Sequence, residues 1–227
     1  MPNELLLLVF FIMLAITNLV AFRYGKMYLF ILIAVYTLLM NIFVLKSFDV
    51  FGLAITGGNA LYGAIFLATD LLAEHHGKKE AMKSVIIGFI SMLIFVVAMQ
   101  FLLAFTPNDF DFAQESLSTL FSLAPRILFG SLLAFIIAQS LDIYLFEKIK
   151  AFTKGKYLFL RNNGSTLISQ ALDTLIFTFV GLTTFAGFEG VIGLDIFWEV
   201  AIVTYIIKVL VALLDTPFMY LSYKVKK

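Results

Sequence analysis

Ser84–Thr106 reads SVIIGFISMLIFVVAMQFLLAFT, twenty-three consecutive residues without a charge. At 1.5 Å per residue a helix of that length covers about 35 Å, more than the roughly 30 Å hydrocarbon core of a bilayer. The run is unbroken rather than alternating with period two, so it cannot be a strand of a closed barrel. This segment has lipid as its solvent.

Working outward, six further apolar runs flank it: Leu5–Phe22, Met27–Leu45, Asn59–Ala73, Leu117–Phe146, Thr166–Gly187 and Ile196–Tyr223. The run at Asn59–Ala73 is short and polar, and those at Leu117–Phe146 and Ile196–Tyr223 are long enough to tilt or to leave the bilayer. The composition agrees with this reading. Hydrophobic residues make up 62% of the 227, charged residues 14%, and the mean hydropathy is +1.01. A water-soluble domain of this size carries about 45–50% apolar and 25% charged residues, so soluble enzymes and nucleic-acid-binding domains are excluded. The whole chain, 1–227, reads as one all-α polytopic membrane domain of about seven spans. A six-span variant makes the first or third run re-entrant or interfacial. The Met-Pro-Asn-Glu start lacks a basic leader, so the first run is expected to stay in the mature protein.

Charge between the runs gives an orientation. Arg23 and Lys26, then Lys78, Lys79 and Lys83, then Lys148, Lys150, Lys154, Lys156 and Arg161, and finally Lys224, Lys226 and Lys227 occupy every second connection. The alternate connections carry Asp109, Asp111, Glu115, Glu189, Asp195 and Glu199, with Lys46 balanced by Asp49. Thirteen of 16 basic residues therefore fall on one side. The positive-inside rule places the N-terminus outside and the C-terminus in the cytoplasm.

Chemistry is read from polar groups inside the runs. Asp70 and Glu74 lie one turn apart in the third run; Arg126, Gln139 and Asp142 share the fifth, Gln170 and Asp173 the sixth, and Lys208 and Asp215 the seventh. Each buried charge costs at least about 2.5–3.5 kcal/mol on insertion scales, so such residues face a bundle interior and signal function. Gln139-Ser-Leu-Asp142 followed by Phe146 echoes Gln170-Ala-Leu-Asp173 followed by Phe177. Spacings of three and seven put an amide, a carboxyl and a ring on one helix face in both cases, two columns that could line a cavity. Asp70, Asp142, Asp173 and Asp215 outnumber the bases Arg126 and Lys208, so at least two acids need a proton, water or a ligand. Such a chamber suits a ligand rich in N–H donors, or a cation. The chain has no cysteine, no P-loop, no H-E-x-x-H and no G-x-S-x-G. His75 and His76 are adjacent and point about 100° apart on a helix, which is poor geometry for a metal. No metal, cofactor or catalytic residue is expected.

Phe66-Leu-Ala-Thr-Asp70-Leu-Leu-Ala-Glu74-His-His-Gly77-Lys-Lys resembles the third-helix signature of the queuosine precursor transporters, also called vitamin-uptake-like transporters. Further blocks match in order over about residues 59–220: Pro125-Arg126, Gln139-x-x-Asp142, Leu160-Arg-Asn-Asn-Gly164 through Gln170-x-x-Asp173 to Phe177, Tyr205-x-x-Lys208, and Leu213-Leu-Asp215-Thr-Pro217. Gly63 departs from a pattern that has proline there. The resemblance implies inner-membrane uptake of 7-cyano-7-deazaguanine or 7-aminomethyl-7-deazaguanine without an ATPase of its own. The residues read above fit that cargo. Asp70, Glu74, Gln139, Asp142, Gln170 and Asp173 would read its edge, Phe146 and Phe177 would stack it, and Arg126, Lys208 and Asp215 would form a supporting charge network. The expected partners are the deazapurine and the bilayer, not nucleic acid, and a homo-oligomer is compatible with this plan. Two rivals stand beside it. One is the substrate-binding membrane subunit of an energy-coupling ABC importer, with its coupling partner. The other is an intramembrane enzyme, although no Gly-x-Gly-Asp protease motif is present.

Overall fold

The computed structural model describes residues 1–121, 125–184 and 192–225; for Ala54 and residues 125–128 it describes the backbone alone. In order come α1 (Asn3–Tyr24), α2 (Lys26–Phe43), a hairpin of β1 (Ser47–Val50) and β2 (Leu53–Thr56), α3 (Gly58–His76), α4 (Lys78–Ala104), α5 (Gln114–Phe121), α6 (Pro125–Phe152), α7 (Leu158–Ile176), a π-helical continuation at Phe177–Leu182, and α8 (Phe197–Val225). α1, α2, α4, α6, the α7 unit and α8 are long and apolar enough to cross a membrane. Their outward faces are apolar: Ile86, Ile90, Ile94 and Phe101 of α4 are all exposed, as expected where lipid is the solvent.

The third run is the exception that organises the rest. α3 has nineteen residues, about the length of a span, yet it is buried at every position from Ala60 to Ala73. α1, α2, α4, α6 and α8 pack around it, and α7 packs on α6 and α8. Its polarity follows from that place, because it faces protein instead of lipid. Tight turns set the wrapping. Gly25 alone joins α1 to α2 and Gly77 alone joins α3 to α4, with φ of 123° and 85° that L residues rarely adopt. Gly63 lets α8 approach α3, since a Cβ there would lie 2.4 Å from Val211 Cγ1.

Two helix boundaries correct the sequence reading. The fifth run is not one helix from Leu117 to Phe146; it divides into the short α5 and a long α6 that begins at Pro125. Proline suits a first helical turn and disfavours helix in the residue before it. The sixth run starts at Leu158, eight residues earlier than Thr166, because Arg161, Asn162 and Asn163 are buried against protein and hydropathy discounts them. Its expected end, Gly187, lies outside the described residues. The connection between the second and third runs folds as a two-residue hairpin through Phe51 and Gly52, both at positive φ. Asn3 Nδ2 donates to the Asp49 carbonyl at 2.9 Å and the Phe51 N–H donates to Glu4 Oε1 at 3.0 Å, tying the hairpin to the start of α1.

Candidate functional site

Polar side chains inside the bundle fall into three layers along α3. The first lies toward the hairpin end. A cavity of about 120 Å³ opens there, with Asn41, Asn59, Tyr62, Asp173, Phe177 and Lys208 in its lining. Asp173, itself buried, is part of that lining. The Tyr62 hydroxyl donates to Oδ1 and the Lys208 ammonium to Oδ2, so α3, α7 and α8 are joined at one carboxylate. Lys208 Nζ also stands 4.8 Å from the Tyr62 ring centroid. Asp173 and Phe177 lie four residues apart, and Phe177 opens the π-helical turn, a departure from α geometry that is frequent at functional sites. A narrower crevice, sharing Asn59, Tyr62 and Lys208 with the cavity, is lined further along by Gln170 and Asp215.

The second layer holds Asp70 of α3, Asp142 of α6 and Asp215 of α8, each at most 3% exposed. Asp70 and Asp142 lie within hydrogen-bonding reach of each other, and Asp215 is close enough to interact electrostatically with both. Ser169 donates to Asp142 Oδ1 at 3.0 Å, and Thr69 donates to Gln139 Oε1 at 3.3 Å. Among the described residues, Asp70 Oδ1, Asp142 Oδ2, Asp215 Oδ1, Gln139 Nε2 and Gln170 Oε1 are buried without a hydrogen-bond partner.

The third layer closes the opposite end. Arg161 grips Glu74 with two nitrogens, Nε at 2.9 Å and Nη2 at 2.8 Å. Lys150 lies 3.2 Å from the same carboxylate and also donates to the Glu74 carbonyl at 3.0 Å, while the Tyr223 hydroxyl donates to Oε1. Arg161 Nη1 caps the carbonyls of Gly155 and Lys156 at 3.0 and 3.1 Å. Its guanidinium sits 5.9 Å from the Phe146 ring centroid, so Phe146 backs this clamp.

The two Q-x-L-D columns thus serve different layers. Asp173 and Phe177 line the cavity and Gln170 the crevice, while Gln139 and Asp142 lie deeper. Lys208 and Asp215 take different partners, as their spacing along α8 demands: Lys208 goes to Asp173 and Asp215 to the acidic layer. Arg126 starts α6, and its side chain lies outside the described residues. Sequence reasoning missed Arg161, Lys150, Tyr62 and Tyr223. Arg161 and Lys150 looked like cytoplasmic surface charges, but Arg161 is only 2% exposed. The Asn162-Asn163 pair beside Arg161, too polar for an interfacial helix start, was the signal available. Tyr62, one turn before Phe66 on the same face, carried none.

Comparison with known proteins places this architecture. No solved structure matches the chain. A curated protein named "Probable queuosine precursor transporter" from Bacillus subtilis (strain 168) is 43% identical over 202 residues, covering 88% of this chain and 86% of that protein. The family described as "Putative vitamin uptake transporter" matches residues 56–222, which takes in the hairpin's last residue, the three polar layers apart from Asn41 and Tyr223, and every helix from α3 through most of α8. By both comparisons this multi-pass membrane protein is a transporter and not an enzyme, and it belongs to the vitamin uptake transporter family.

Proposed function

We propose that this protein takes up a queuosine-precursor deazapurine, 7-cyano-7-deazaguanine or 7-aminomethyl-7-deazaguanine, across the inner membrane through the cavity that Asp173 lines. The observation that carries the reading is that carboxylate, buried in the lining of a cavity between helices together with a ring and side-chain amides. A guanine-like edge presents N1–H and 2-NH₂, two parallel donors that a carboxylate accepts in pairs. Asn41 and Asn59 each offer a donor and an acceptor for the remaining edge, and Phe177 offers a stacking face. Tyr62 and Lys208 hold Asp173 until the base exchanges places with one of them. The 43% identity to a protein named as a queuosine precursor transporter supports the choice of cargo. The basic connections set the direction: the hairpin end faces outward and the Glu74 end faces the cytoplasm.

Purified protein in liposomes, given each labelled base, tests this. Uptake by the chain alone is expected, which would also remove the energy-coupling ABC subunit as an alternative. Asp173→Asn should lower apparent affinity about 10–150-fold, the equivalent of a charge-assisted hydrogen bond worth about 1.5–3 kcal/mol. Failure of the wild-type protein to carry or exchange either base would overturn the reading.

A further inference from the structure

Asp70, Asp142 and Asp215 do not belong to the binding arrangement just proposed, apart from the contact of Asp215 with the end of the crevice. Three helices each bring one buried carboxyl group to the same place. The Ser165, Thr166 and Ser169 hydroxyls face Asp142, and one oxygen of each acid receives no donor among the described residues. The Asp70–Asp142 approach is within hydrogen-bonding reach, and two carboxylate oxygens at that range are two acceptors unless a hydrogen lies between them.

The nearby ionisable groups are already committed. Lys208 of α8 is paired with Asp173 of α7; Arg161 of α7 and Lys150 of α6 are paired with Glu74 of α3. The Tyr62 hydroxyl of α3 goes to Asp173 and that of Tyr223 of α8 to Glu74. From α1 and α2, Asn18 and Tyr36 donate to the carbonyls of Ala64 and Leu14. The backbone of Arg126 precedes that of Asp142 by sixteen residues on α6, about 24 Å along the axis. A second observation points the same way. Gln139, fully buried one turn from Asp142 and hydrogen-bonded through Oε1 to the neighbour of Asp70, keeps an Nε2 donor with no acceptor. Three ionised carboxylates gathered away from water without a cation are prohibitively costly, and intramembrane acids so placed are characteristic of proton relays.

We infer that Asp70, Asp142 and Asp215 form a proton-binding site that couples transport to the proton gradient, making the protein a proton–substrate symporter. A proton enters from the cavity along the crevice to Asp215, is shared between Asp70 and Asp142, and leaves on the cytoplasmic side as the base is released. One proton moves inward with the base, and the three carboxyl groups return holding one proton fewer. The coupling rests on the uptake reading above; the proton site itself does not.

Two measurements on the full-length protein test this. In liposomes, wild type should accumulate labelled base under an inward proton gradient, and a protonophore should abolish the accumulation. In Asp70→Asn and Asp215→Asn, accumulation under the proton gradient should fall far more than base exchange at equal concentrations does. Wild type that exchanges base but accumulates none under a proton gradient, or that accumulates it under a sodium gradient at uniform pH, would overturn the coupling and leave uptake standing. If neither base is exchanged, the uptake reading fails, and infrared spectroscopy still decides the proton site. The carboxyl C=O band should titrate with pH in wild type and be diminished in Asp70→Asn and in Asp142→Asn. An identical titrating band in all three, or no titrating band in wild type, would refute it whether or not either variant is well behaved in liposomes.

Discussion

Glu74 and Asp70 lie one turn apart on the same buried helix, yet their surroundings are opposite. Glu74 receives two guanidinium nitrogens, an ammonium and a phenol. Asp70 faces another carboxyl and has an oxygen with no donor. A carboxylate saturated with donors from α6, α7 and α8 holds helix ends together and has little left to offer a ligand. A carboxyl starved of donors gives the fold nothing comparable and remains available for chemistry. Buried acids within 6 Å or so of rise along one helix can therefore have unrelated duties, and the inventory of donors tells them apart.

The contrast can be broken most severely at the clamp. Arg161→Met leaves Glu74 buried with Lys150 and Tyr223 alone, and breaking a buried pair costs about 3–5 kcal/mol. Thermal unfolding in detergent should fall steeply, and adding Glu74→Gln should recover part of the loss, because the orphaned charge goes with it. Recovery of nothing would mean that Arg161 acts through the Gly155 and Lys156 carbonyls instead. In the starved layer the effect on stability should be far smaller. Asp215→Asn removes an acid that no base neutralises among the described residues, so unfolding should shift by less than about 1 kcal/mol in either direction. A loss as large as that of Arg161→Met would make the acidic layer structural and erase the distinction. Labelling sharpens the comparison with the least disturbance. The chain has no cysteine, so Lys156→Cys and Asp111→Cys report alone. Position 156, beside the clamp, should be reached only from the cytoplasm, and position 111 from outside intact cells. The reverse pattern would put the cavity on the cytoplasmic side.

Much of this was legible in the sequence where lipid was the judge. The helices facing the bilayer announce themselves by hydropathy, and α4 nearly coincides with the run from Ser84 to Thr106. Legibility fails where protein replaces lipid as the solvent. α3 and the first turns of α7 are polar because they are enclosed, so a hydropathy reading shortens one and delays the other. The buried acids were visible as anomalies, and the surplus of carboxylates over bases persists among the described residues. Their sorting into layers was not visible. It depends on Arg161 and Lys150 folding inward from a stretch whose positive charge looks cytoplasmic, and on a tyrosine that nothing in composition distinguishes from eight others.

The hairpin clasp has a practical side. Asn3 and Glu4 hold the backbone at Asp49 and Phe51, and Thr56 at the foot of the same hairpin lines the cavity. Any affinity tag or fluorescent protein fused ahead of Asn3 would be attached within two residues of the clasp that steadies the cavity's mouth. Fusions for purification, sensing or display are better made after α8, at the end of the molecule where the clamp, and not the entrance, would bear the load.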